Sequence, residues 1–289
     1  MKFYRVYIEI TNICGLSCSF CPTKSLPPKQ MSLEFFESII IEAKEYTTQI
    51  ALHVVGDPLT QSNLSKYLDI LHKYHLQALI TTSGYFLKKH KEETLFHPAI
   101  RQINISLNSF NKNDSNISFE QYITPILSLC QAKLDTKKEI FINLRVWNLD
   151  ESMSEREFNK ILFDRLAKAF DTTIDIDNIY TNRPKSIRLD YKLLIHFDRY
   201  FQWPSMSNPI YPDTTCQGLD SHIAILASGE IVPCCLDCDG IIELGDLYKD
   251  SLKDILQTKR VTDIRRGFKS NTAVEELCKR CSYRSRFER

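Results

Sequence analysis

Ten cysteines stand in this chain of 289 residues, and nine of them fall into three groups: Cys14, Cys18 and Cys21; Cys216, Cys234, Cys235 and Cys238; and Cys278 with Cys281. Only Cys130 stands apart. Thiols buried for packing alone scatter along strands and helices, whereas metal centres need soft ligands at short spacing. A chain of this length builds its own core and has no need of disulfides. The first group reads C-x3-C-x2-C. Three thiolates hold three irons of a [4Fe–4S] cube and leave the fourth iron open. An open position is what separates a reactive metal site from a closed structural one. Zinc with a missing ligand is the alternative for these three, but no fourth ligand lies nearby in the sequence.

Those cysteines have to be positioned by the elements around them. Residues 1–10, MKFYRVYIEI, read as a strand, so the first group sits on the loop that follows it. Further strands are expected at Ile50–Val55, Ala78–Thr82, Gln102–Leu107 and Ile140–Val146. Helices are expected between them: Ser32–Glu45 with Ser32 as N-cap, Leu64–Tyr74 and Phe119–Ala132. Repeated strand-then-helix units imply a parallel sheet with helices outside it, curling toward a full or partial barrel whose chemistry lies on the loops after the strands. A helix at Glu155–Ala169 and a sixth strand at Ser186–Phe197 follow. The aromatic, proline-rich stretch Tyr200–Pro212 reads as a connector. Beyond it come a hairpin, Ile223–Ala227 and Ile231–Pro233, turning at Ser228-Gly229, then helices at Ser251–Thr258 and around Val261–Phe268.

Bulk composition excludes more than it assigns. Hydrophobic residues make up 43%, charged residues 25%, and the net charge is +1, which gives no strong electrostatic signal for nucleic acid or an anionic membrane. No apolar run approaches the ~20 residues of a membrane span. Residues 1–10 are a strand rather than a signal peptide, so the expected location is cytoplasmic.

The segment ITNICGLSCSFCP, with Phe20 just before the third cysteine, resembles the opening of the radical S-adenosylmethionine (SAM) enzymes. The resemblance implies an α/β fold, a partial (β/α)6 TIM-like barrel. It also implies a SAM-binding [4Fe–4S] cluster on Cys14, Cys18 and Cys21, and SAM itself as the source of a 5′-deoxyadenosyl radical that takes a hydrogen atom from a substrate. Val54-Val55-Gly56-Asp57-Pro58 lies where that family has a Gly-Gly-Glu motif on the SAM amino group; Val55 replaces the first glycine and Asp57 the glutamate. The same likeness makes Ser83 in Thr81–Gly84, then Ser106 and Asn108, then Arg145 and Asn148, strand-end candidates for SAM contacts. Arg145 would pair with the SAM carboxylate. For Ser83 and Ser106 an ordinary loop hydrogen bond is an equal alternative.

The spacing C-x12-G-x4-C from Cys216 through Gly229 to Cys234 resembles the entry to the SPASM and twitch extensions of radical SAM enzymes, which carry auxiliary iron–sulfur clusters. Gly229 turns a hairpin that returns both cysteines to one end. With Cys278 and Cys281 they form the twitch ligand set for one auxiliary [4Fe–4S] cluster. Two closed clusters need eight cysteines and seven remain after the first group, so one is expected. Cys235 and Cys238 are left as substitute ligands or redox or substrate thiols, and a zinc ribbon is the alternative for the region. The expected domains are a radical SAM core over residues 1–205 and an auxiliary-cluster domain over 206–289.

Enzymes with such extensions include dehydrogenases that oxidise alcohols and enzymes that modify peptides. The chain starts at its first barrel strand, which favours a small-molecule substrate over a peptide; a flavodoxin- or ferredoxin-type protein is the implied electron donor. A non-enzymatic zinc or iron–sulfur protein is the third reading. His53, His196 and His222 are expected to be packing or surface histidines, the segment Arg199–Trp203 interdomain packing, and the basic tail KRCSYRSRFER a solvated one.

Overall fold

The computed structural model describes residues 1–22, 25–113, 116–149 and 155–287. In chain order the elements are β1 (Arg5–Ile8), α1 (Leu33–Ala43), β2 (Gln49–Ala51), α2 (Leu64–Lys73), β3 (Gln77–Thr82), α3 (Glu92–Leu95), β4 (Ile100–Ser106), α4 (Phe119–Asp135), β5 (Phe141–Val146), α5 (Arg156–Ala169), α6 (Ile176–Asn182), β6 (Ser186–Asp190), β7 (Leu193–Phe197), β8 (His222–Ile225), β9 (Glu230–Val232), β10 (Gly245–Asp246), α7 (Leu252–Leu256), α8 (Lys259–Lys269) and α9 (Glu276–Lys279). The chain divides into two compact units, Met1–Gly15 with Cys21–Leu79 and Phe201–Arg289, and Leu16–Phe20 with Ile80–Tyr200.

In the first unit β1 lies between β2 and β8 and is parallel to both, with Val6 opposite Ile50 and Ile223. The start of β3 runs parallel to β2, Gln77 opposite Gln49. β8, β9 and β10 form an antiparallel meander, so the C-terminal hairpin extends the sheet begun by the N-terminal strand. Val6 and Ile8 are wholly buried. Ser32 caps α1 as expected, its hydroxyl accepting from Phe35 N at 3.1 Å, and α1 meets α2 edge-on through Phe36 and Tyr67. Gly229 sits at φ +105°, and a Cβ there would stand 2.8 Å from the Tyr248 ring; both facts require glycine at the hairpin turn.

In the second unit β4, β5 and β7 are parallel, with Ser106 opposite Arg145 and Arg145 opposite His196. Alternation sorts the strands into two faces. Ile103, Ile105, Ile142, Leu144, Leu193 and Ile195 are almost wholly buried, each contributing ~1.5–3 kcal/mol by leaving water. α5 packs beside this layer through Phe163 against Phe197, 5.9 Å between centroids. The opposite face carries Asn104, Ser106, Asn143, Arg145 and His196.

Several elements differ from their sequence expectations: β2 ends at Ala51 rather than Val55, and α3 and α6 are additional. The stretch Ser186–Phe197 is not one strand but a hairpin of β6 and β7, antiparallel, with Ile187 opposite Ile195. The chain reverses at Tyr191-Lys192, where Lys192 takes a left-handed φ of 53°. α6 was not foreseen; the Asp175 side chain caps it by accepting from Asn178 N at 2.9 Å.

Candidate active site

The loop after β1 is tied off at its base. Thr11 and Gln30 form an antiparallel bridge. The Asn12 side chain donates to Pro27 O at 2.8 Å and accepts from Lys29 N at 2.7 Å. The turn after β2 grips the same base: Asp57 N donates to Ile13 O at 3.1 Å, and the Thr60 hydroxyl donates to Ile13 O at 3.3 Å. A Cβ on Gly56 would lie 1.8 Å from the Thr11 carbonyl oxygen, so the backbones approach too closely for any other residue. Cys14 leaves this base half-exposed, Cys18 is buried and Cys21 is exposed.

Asp57 is buried, and its carboxylate caps a short 3-10 turn by accepting from Leu59 N at 3.0 Å. Val55 N donates to Glu9 Oε1 at 3.0 Å, which leaves the Val55 carbonyl as the group it can offer. Glu9 was not singled out from the sequence. It is 1% exposed and also accepts from Ala227 N at 3.3 Å, so one carboxylate at the end of β1 holds both the Val54–Pro58 turn and the C-terminal hairpin.

Asn113, in the second unit, donates through Nδ2 to Cys18 Sγ at 2.8 Å and to Ser109 O at 2.6 Å. Its Oδ1 accepts from Ser17 N at 2.8 Å. Phe20 stacks on Tyr200, whose buried hydroxyl has no partner. Burial, then the charges of Glu155 and Cys18, push that phenol up.

The strand ends of the second unit form a polar surface. Asn104 Oδ1 accepts from Gln102 Nε2 at 2.7 Å and Asn143 Nδ2 at 3.1 Å, while Asn104 Nδ2 donates to Thr81 Oγ1 at 3.2 Å. Arg145 lies over the Trp147 ring, 4.8 Å from its centroid. Asn108 is 3% exposed; its Oδ1 accepts from Trp147 N at 2.7 Å and its Nδ2 has no partner among the described residues. The Ser83 hydroxyl accepts from Tyr85 N at 3.4 Å, a loop hydrogen bond. Ser106 ends β4 half-buried. Asn148 is turned to structure: it and Asn159 exchange two amide hydrogen bonds of 2.9 Å, both residues wholly buried. His196 has a buried, unpartnered Nδ1, and burial, then Arg145, pushes its pKa down.

The remaining cysteines collect in the first unit. A Cβ on Gly218 would lie 3.6 Å from Cys216 Sγ and 3.7 Å from Cys234 Cβ, so these two cysteines flank one glycine, and the charge of Cys216 bears on Cys234, Cys278 and Cys281. Burial and then these sulfur neighbours push the Cys234 and Cys278 thiols well up; burial pushes Cys281 up to about 11. Four thiols in such surroundings ionise when a cationic centre compensates them. Cys235 adjoins Cys234. Cys238 lies instead in an apolar cluster with Val54, Ala224, Leu226 and Val232, its charged neighbours being Asp239, Glu9 and Asp237, and its thiol is pushed up to about 12 by burial. Cys130 is a fully buried helix thiol, likewise pushed up to about 12. Among the described residues no three Cys, His, Asp or Glu side chains are grouped as a single metal ion requires. Ligands of one zinc meet ~2.3 Å from one point, whereas the thiolates of a cube each meet a different iron.

The radical SAM superfamily model matches residues 8–151, and the SPASM iron–sulfur cluster-binding domain model matches residues 216–282. The chain belongs to the radical SAM superfamily. It is an enzyme whose cofactors are SAM, a SAM-binding [4Fe–4S] cluster and auxiliary iron–sulfur binding in the SPASM region. The S-adenosyl-L-methionine-dependent 2-deoxy-scyllo-inosamine dehydrogenase of Niallia circulans is 18% identical over 97% of this chain and 93% of its own. The structure of BtrN in complex with AdoMet and 2-DOIA superposes with a TM-score of 0.61 at 14% identity, covering 98% of this chain and 94% of that one. Streptococcus suis SuiB bound to its precursor peptide SuiA also gives 0.61 at 14% identity, over 97% of this chain and 71% of that one. At these identities the structures establish the fold, an α/β radical SAM barrel class with a C-terminal iron–sulfur region.

The residues fit the radical SAM cofactors. The buried, unpartnered Asn108 amide is a donor awaiting an acceptor, as a bound molecule rich in oxygen and nitrogen supplies. Four thiols such as Cys216, Cys234, Cys278 and Cys281 are of the chemistry that a closed iron–sulfur cluster takes. One other expectation is corrected in part: of the tail, residues Ser282–Phe287 form a 3-10 helix in which Arg284 is 1% exposed while Ser285 and Arg286 stay exposed. Phe201 packs edge-on against Tyr283 at 5.0 Å and against Trp203. Among the described residues no helix is long and apolar enough to cross a membrane.

Proposed function

We propose that this radical SAM enzyme is an oxidoreductase that dehydrogenates a small, hydroxyl-bearing molecule, with a core over residues 1–205 and one auxiliary [4Fe–4S] cluster carried by residues 206–289. The observation that carries the reading is that Cys216 and Cys234 flank Gly218, with Cys278 and Cys281 within electrostatic reach of Cys216, while Cys238 lies in an apolar cluster. Likeness over nearly the whole chain to a SAM-dependent dehydrogenase supports it.

When bound, SAM on the open iron supplies a 5′-deoxyadenosyl radical able to take a hydrogen atom from carbon. Cys14, Cys18 and Cys21 hold three irons of that cluster. The Val55 carbonyl would accept from the SAM ammonium, with Gly56 and Asp57 fixing the path of that turn. Arg145 would donate to the carboxylate and Asn108 to a further SAM acceptor, with Ser83 and Ser106 bordering the same strand ends. Thr81, Gln102, Asn104 and Asn143 already hold one another in place, and their remaining hydrogen-bonding capacity suits hydroxyl groups. Turning a secondary alcohol into a carbonyl removes one hydrogen atom from carbon, then one electron and one proton. Four cysteine ligands would leave no iron open for SAM, so a cluster held by Cys216, Cys234, Cys278 and Cys281 would supply an acceptor for that electron. Electrons for SAM cleavage come from a flavodoxin- or ferredoxin-type donor.

A second reading, modification of a peptide, draws on the likeness to SuiB with its precursor peptide. Anaerobic assays with SAM, a reductant and either deuterated aminocyclitols and polyols or peptides separate the two. The proposal expects polyol-dependent 5′-deoxyadenosine carrying deuterium and a product two hydrogens lighter. Deuterium transfer from peptides alone would overturn it.

A further inference from the structure

Arg284 is the largest fully buried side chain of the described residues, at 1% exposure. Its Nη1 donates to Thr214 O at 2.8 Å and its Nη2 to Pro212 O at 3.3 Å, while its Nε is buried without a partner. Other arginines of the same region have acids: Arg260 pairs with Glu275, Arg265 with Asp220 and Arg280 with Glu276. Among the described residues no carboxylate pairs with Arg284. A guanidinium does not shed its proton in a protein, and a buried charge needs a counter-charge. Two carbonyl dipoles supply part of it. The rest of its surroundings belong to the cysteine-bearing segments: Arg284 N donates to Cys281 O at 3.4 Å, and Thr214, whose carbonyl the guanidinium holds, stands two residues before Cys216.

We infer that Arg284 is the buried counter-ion of the auxiliary cluster and holds its reduction potential up. This rests on the four-cysteine cage proposed above. A closed cube with four thiolates is anionic and gains one more negative charge when it takes an electron. A fixed cation in a low-dielectric surround favours the more negative state, and net charge is one of the factors that set cluster potentials. Such a site suits a reaction in which a substrate radical hands over one electron and a proton and leaves as a carbonyl. Arg284 is thus a positioning and tuning residue, touching neither substrate nor SAM.

The test uses the full chain with Cys14, Cys18 and Cys21 all changed to alanine, so that one cluster is read. Reconstituted parent, Arg284→Gln and Arg284→Lys proteins are titrated anaerobically, with the reduced cluster followed by EPR and iron counted. The expected parent holds ~4 irons per chain. Arg284→Gln shifts the midpoint to a lower potential and Arg284→Lys stays near the parent. Iron lost from Arg284→Gln but kept in Arg284→Lys also supports a role for charge. An unshifted Arg284→Gln with full iron overturns the inference. So does an equal shift in both variants, or loss of iron from both, either of which makes Arg284 a geometric clamp on Pro212 and Thr214. A parent without iron removes the cage reading itself, and is told apart because it fails before any change at Arg284.

Discussion

Cys14 is half-exposed, Cys18 buried and Cys21 exposed on a loop without strand or helix, whereas Cys216, Cys234 and Cys278 are half-exposed and Cys281 buried in the first unit, with the Cys234 and Cys278 thiols pushed well up by burial. The loop's order comes from its base: Asn12, the Thr11–Gln30 bridge and the Gly56 turn fix where it leaves and returns. The order of the second set comes from what frames it, with the hairpin turning at Gly229 and the tail supplying a fully buried arginine. A cluster that must bind SAM needs an open iron and an approach to it. A cluster that only passes electrons is better shut from solvent. On the proposed reading the two cysteine sets serve those two tasks.

Changes at the loop base should break one site and spare the other. Gly56→Ala drives a methyl into the Thr11 carbonyl; a displacement of ~1 Å beside a reacting centre costs on the order of 100-fold. SAM cleavage is expected to fall by that order while auxiliary iron is kept, as read from 5′-deoxyadenosine formation and iron counts. Loss of iron from both sites would show that the two are not independently held.

Asn113→Ala removes an N–H···S hydrogen bond from Cys18. Loss of such a supporting contact costs roughly 10-fold in activity. SAM cleavage should slow by about that factor, with a lower midpoint for the SAM-binding cluster and no change at the auxiliary one. An unmoved midpoint would reduce Asn113 to a loop tether.

Glu9→Gln turns an amide toward one of the two N–H groups the carboxylate now accepts. Leaving one such buried donor unsatisfied costs ~1–3 kcal/mol, so the thermal midpoint should drop by several degrees, measured anaerobically on the reconstituted protein. Because Glu9 holds the Val54–Pro58 turn and the hairpin together, both clusters should become more labile to chelators. A change confined to one would contradict a shared support.

The smallest expected effect is in pH. Burial, then the charge of Arg5, push His222 down to about 4, so the folded protein keeps it neutral. Above the unfolded value of ~6.5 it costs nothing. Between ~6.5 and 4 the unfolded chain takes up a proton that the folded one refuses, so stability falls as pH falls through that window, and the slope ends below 4. His222→Gln should flatten that part of the denaturation-midpoint profile. A profile parallel to the parent's would show that His222 protonates as easily folded as unfolded.

Much of this is legible in the amino-acid sequence. Cysteine spacing survives in the sequence because neighbouring ligands on one loop must be close in the chain. The strand alternation Ile103, Ile105 against Asn104, Ser106 is visible for the same local reason. Long-range partners were not legible. Glu9, Asn12 and Asn113 act on residues brought to them by the fold, and nothing in MKFYRVYIEI marks Glu9 as buried. Asp57 stood out as a cofactor ligand, and its carboxylate also serves as the cap of the following turn. The run KRCSYRSRFER looks solvated because charge alone cannot tell which arginine turns inward; Arg284 does so, and Arg286 lies over Phe201 and Tyr283. Ser186–Phe197 looked continuous because its reversal uses Lys192 at positive φ rather than a glycine.

The most direct test of two cysteine sets with two tasks is an iron, sulfide and zinc count on anaerobically reconstituted protein. It compares the wild type, the Cys14/Cys18/Cys21 triple alanine variant and the Cys216/Cys234/Cys278/Cys281 quadruple alanine variant. The account predicts ~8 irons in the first and ~4 in each of the others, with SAM cleavage abolished in the triple variant. A wild type with ~12 irons would bring Cys235 and Cys238 into a further cluster, and zinc in place of iron would contradict the account altogether.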